Sequence, residues 1–99
     1  MSDPTLAFHV KQYVPQAEGD ELAHRITLLK ARDHAAALRG RTDGWLATEC
    51  ACHAHDIAGR FVFRLGESVP RLEMAANLCR YLVRAALTAD SLNSEDDPL

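Results

Sequence analysis

From Arg71 to Leu87 the chain runs without a glycine or proline, preceded by Ser68 as a possible cap and Pro70 in a first turn. That combination predicts a helix. On a helical wheel of about 100° per residue, Glu73, Asn77, Arg80 and Arg84 share one narrow polar stripe. Leu72, Ala75, Ala76, Cys79, Leu82, Val83, Ala86 and Leu87 occupy the broad opposite face. Met74, Leu78, Tyr81 and Ala85 widen the apolar region further. A helix packed on one side needs an apolar stripe only about 100° wide. A helix this apolar either lies centrally, flanked on two sides, or offers Met74, Leu78 and Tyr81 to a partner. A small domain can hardly wrap a helix completely, so a homodimer interface on these three residues is a serious expectation.

The rest of the chain must supply what this helix packs on. Residues 5–14 place Leu6, Phe8 and Val10 in alternation, which predicts a strand ended by Pro15 and Gly19. From Asp20 to Gly40 the spacing of Leu22, Ile26 and Leu29, with abundant alanine, favours one helix. The rival is a strand over 22–31 followed by a short helix capped by Asp33. Arg60 to Leu65 reads as a strand with Phe61, Phe63 and Leu65 on one face. Its cheapest partner is the preceding segment, so 45–55 is expected to pair with it as a hairpin, with Trp45 plugging the core. The alternative is a helix over 45–58 stopped by Gly59. The expected fold is therefore α+β: strand–helix–strand–strand–helix, two helices packed on a three-stranded, mainly antiparallel sheet. Residues 1–89 would form one domain, and 90–99 a disordered acidic tail.

Chemistry-bearing side chains concentrate in Glu49-Cys50-Ala51-Cys52-His53-Ala54-His55-Asp56. Thiolates and imidazoles are zinc ligands, so Cys50, Cys52, His53 and His55 are the candidate metal residues. On a strand, the two cysteines face one side and the two histidines the other, and no single ion could be held without another element. On a helix, Glu49, Cys52, His53 and Asp56 would converge, opposite a buried face of Leu46, Cys50, Ala54 and Ile57. The spacing matches no structural zinc pattern, which uses paired Cys-x₂₋₄-Cys knuckles. The expectation is core thiols and surface histidines with no cofactor, zinc being the alternative.

The 99 residues carry 11 basic and 14 acidic side chains, a net charge of −3. Residues 21–89 are mildly basic while the last ten carry four acids. Arg39, Arg41, Arg60 and Arg64 form the candidate basic patch for nucleic acid, an unlikely partner because the arginines are scattered rather than in a stripe. No apolar run approaches a bilayer span of about 18 residues, and Met1 to Thr5 lack the features of a secretory signal. An odd cysteine count suits free thiols in a reducing cytoplasm. Phosphate-binding and nucleophile motifs are absent, so no enzyme is expected. The leading expectation is a cytoplasmic interaction or regulatory module that self-associates through its C-terminal helix.

Overall fold

The computed structural model describes residues 4–40 and 44–95, with the side chains of 5–40 and 44–89. Four helices follow in order: α1 (Pro4–Tyr13), α2 (Gly19–Arg39), α3 (Trp45–Phe61) and α4 (Val69–Glu95). Among the described residues there is no strand. Helices α2, α3 and α4 pack on one another as an up-down-up bundle, and α1 docks on α2. Arg25 meets the end of α3 while Arg39 meets its middle, so α2 and α3 are antiparallel.

The α+β expectation is overturned, and each misassigned strand has a physical explanation. In the first segment, Leu6, Val10 and Val14 recur every four residues. Val10 and Val14 are buried and Leu6 is half-buried, whereas Phe8, which completed the alternation, is 65% exposed. Pro4, at the first helical position, starts the turn with a preset φ. In the third segment, Ala47, Ala51, Ala54 and Ala58 recur at helical spacing and are completely buried. This methyl-wide stripe lets α3 lie close to both neighbours, because interaxial distance follows side-chain size at the contact. It sits one residue round from the helical face expected over 45–58. Cys50 and Ile57 are only half-buried, and Leu46 is exposed.

The segment from Arg60 to Leu65 is the end of α3 and the start of a turn. Short apolar runs do not distinguish a strand from a buried helix end by periodicity. Val62 is the C-cap, with its N–H donating to Ala58 O at 2.9 Å. Phe63 stacks on Tyr13 at 4.9 Å between ring centroids, tying the turn to α1. Gly66, at φ +76°, takes the left-handed conformation that turns the chain into α4. Glu67 receives Arg64 at 3.6 Å and Arg71 at 3.3 Å, joining both sides of the turn. Trp45, expected in the core, opens α3 and is 76% exposed.

The helix expected from Asp20 to Gly40 is present as α2, with Ile26, Leu28, Leu29, Ala31, Ala35 and Leu38 in the core. The C-terminal helix is present as α4, and it continues to Glu95, into the stretch expected to be a disordered tail. The remainder of that tail, 96–99, lies outside the described residues.

Candidate interaction surface

Helix α4 buries Leu72, Ala75, Ala76, Cys79, Val83 and Ala86. On the wheel, Leu78 flanks that buried arc on the side next to α3, with Met74 beyond it, while Tyr81 points away from the core. Met74, Leu78 and Tyr81 remain 69%, 44% and 67% exposed. Across from Leu78 and Met74, Ile57 and Phe61 of α3 are half-buried, and these two with Met74 and Leu78 line a shallow hollow of about 160 Å³. Arg71 stands at one end of it. Two and three turns back along α3 from Ile57, the same face carries Cys50 and the exposed Leu46.

The result is a two-helix apolar face rather than a stripe on one helix. Apolar side chains scattered singly on a surface are ordinary; contiguous ones mark contact sites. The sequence singled out Met74, Leu78 and Tyr81 but not Ile57 and Phe61, which had been assigned to a turn and a strand. Their signal was the four-residue step between them, in register with Cys50 and Leu46. Polar groups lie at the edge, where His53 Nε2 is 3.8 Å from Glu49.

The four candidate metal residues lie on one helix and do not meet. At about 100° per residue, Cys50 and His53 fall on the α4 side of α3, while Cys52 and His55 fall on the α2 side. His55 Nδ1 contacts Arg39 Nη1 at 3.1 Å. Among the described residues no three of His, Cys, Asp or Glu are placed to hold one ion. The remaining cysteine, Cys79, is fully buried and directs its thiol at Ala54 O, 3.6 Å away. Burial pushes that thiol up to about 11 from an ordinary 9.0, which keeps it protonated and unreactive.

Of the candidate basic residues, Arg39 and Arg60 are set on different sides of α3. Arg39 sits against His55, and Arg60 is five positions further along α3, about 140° around it. Arg64 is in the turn, paired with Glu67 and lying 5.7 Å over the Phe61 ring. Arg41 lies outside the described residues. No helix among the described residues is long and apolar enough to cross a membrane.

Comparison of the chain with protein-family models, curated proteins and solved structures found no match.

Proposed function

We infer that this protein is a small interaction module, not an enzyme, and that it acts as a homodimer joined through the outer face of α3 and α4. The observation that carries the reading is the run of incompletely buried apolar side chains across two helices: half-buried Ile57 and Phe61 beside exposed Met74 and Leu78, with exposed Tyr81 one turn on from Leu78 along α4. Such a face leaves apolar area in water that burial would stabilise at roughly 25 cal/mol per Å². A second copy is the favoured occupant because the charges beside the face, Arg64 and Arg71, are already paired with Glu67. The face therefore offers no electrostatic selection for a partner of opposite charge and no like-charge penalty against itself. Two antiparallel α3–α4 hairpins stacked about a two-fold axis would bury the same patch on both chains, as a closed dimer requires.

The reading needs no cofactor. Cys50, Cys52 and Cys79 are free thiols, in keeping with work in the reducing cytoplasm. The test is a dilution series followed by amide NMR, from millimolar to micromolar protein. Shifts confined to residues around Ile57, Phe61, Met74, Leu78 and Tyr81 support the dimer. A spectrum unchanged over that range, with the relaxation times of a monomer throughout, contradicts it.

A further inference from the structure

The opposite side of α4 faces α2, and the groove there differs in chemistry from the outer face. Its floor is apolar, made by Ala31 of α2 with Val83 and Leu87 of α4. Lys30 and His34 stand along the α2 rim, and Arg80 and Arg84 along the α4 rim. The hollow has a volume of about 360 Å³, and a second one bounded by His34, Leu38 and Leu87 continues it toward the end of α2. Among the described residues no acidic side chain lines either hollow. The nearby acids are engaged elsewhere: Glu73 lies 3.7 Å from His24, and Asp33 pairs with Arg32 on the α1 side. Among the described residues, Lys30, Arg80 and Arg84 have no ion-pair partner.

We propose that this groove is a docking site for an acidic amphipathic helix of a partner protein. Helices α2 and α4 both run antiparallel to α3, so they run in the same direction and the groove lies along both. From Thr27 to Leu38 it extends about 16 Å, or three helical turns. Each rim repeats its basic groups at i and i+4, the spacing at which a helix repeats its own side chains on one face. An incoming helix with an apolar stripe at i, i+3/i+4 and i+7 would seat that stripe on Ala31, Val83 and Leu87. Glu or Asp residues flanking the stripe would meet both basic rims at once. A single acyl chain with one acid group would satisfy only one end of these rows and leave the open side of the groove wet. The site is distinct from the α3–α4 face, so binding here does not depend on dimerisation.

The test uses the full chain and a fluorescein-labelled synthetic helix with leucines at every third or fourth position flanked by glutamates. A second peptide carries lysines in place of the glutamates, and a single-stranded oligonucleotide is the third probe. The glutamate peptide is expected to bind, to weaken steeply as salt is raised, and to lose affinity about tenfold or more in the double variant Arg80→Glu, Arg84→Glu. Leu87→Asp is expected to weaken it as well, while Phe8→Glu on the exposed side of α1 leaves it unchanged. All these side chains are exposed, so circular dichroism should report an intact fold for each variant. Equal binding of the two peptides, no binding of the glutamate peptide, or an oligonucleotide that binds where the peptide does not would each overturn the proposal.

Discussion

The guanidinium of Arg25 donates from Nη1 to the carbonyl oxygen of Val62 at 3.1 Å, joining the first third of α2 to the end of α3 across 37 positions. The same nitrogen reaches Phe61 O at 3.2 Å, and Nε pairs with Glu21 at 3.0 Å. Arg25 is only 1% exposed. A helix end carries unsatisfied carbonyls and a partial negative charge, so a buried cation there answers both needs.

Replacing Arg25 with Met therefore removes the donor from two carbonyls and the partner from Glu21. The expected loss is roughly 2–4 kcal/mol of unfolding free energy by urea denaturation. Arg25→Lys keeps the charge but lacks the guanidinium's fixed set of donors. It should recover only part of that loss.

Two glycines predict opposite signs. Gly59 lies inside α3, and a Cβ there would meet nothing within 4 Å. Gly59→Ala should stabilise the protein by about 0.5–1 kcal/mol, because alanine loses less backbone entropy in a helix. Gly66 also has open space around its Cα, but its φ of +76° is strained for any side chain. Gly66→Ala should cost about 1 kcal/mol from conformation alone. Thermal melts of the two variants read the difference directly.

Cys79 makes stability fall at alkaline pH. Its thiol stays protonated in the fold up to about 11, while in the unfolded chain it ionises near 9.0. The unfolded state therefore holds fewer protons between those values, and stabilisation that is complete below pH 9 is lost as pH rises toward 11. The loss amounts to roughly 2–3 kcal/mol at the upper end. Comparing pH-dependent urea melts of the wild type and Cys79→Ala isolates it: the variant should show a shallower decline across that window.

The same burial predicts thiol reactivity. Under native conditions a thiol reagent should label Cys52, and Cys50 once dilution separates the dimer, and spare Cys79, which reacts only on unfolding. Mass spectrometry of the labelled protein counts the groups. Native labelling of Cys79 at the rate of the other two would contradict the packing of α4 on Ala54.

Helices α2 and α4 were legible because their apolar residues are large and recur at helical spacing over long stretches without a breaker. The wheel for α4 also located Met74, Leu78 and Tyr81, which lie exposed. Helix α3 was not legible for the reason that makes it fit: its core face is alanine, whose methyl groups give a faint hydrophobic period. The flanking Cys50, Ile57 and Phe61 suggested other faces. In α1, an exposed Phe8 beside buried Val10 imitated alternation. The turn after Phe61 depends on a tertiary hydrogen bond from Arg25, which no local pattern encodes. The α2–α4 groove likewise arises from residues about fifty positions apart. Its basic rows appear only when the parallel pairing of those helices is known.

The most direct measurement is sedimentation equilibrium of the untagged wild type beside Leu78→Glu. The exposed position of Leu78 makes the variant a probe of association rather than of folding. The account predicts wild-type protein at twice the 10.9 kDa chain mass, with the variant at the chain mass and a circular dichroism spectrum unchanged from wild type. Wild type at the chain mass at every loading concentration would contradict it. So would a variant that dimerises as tightly as the parent.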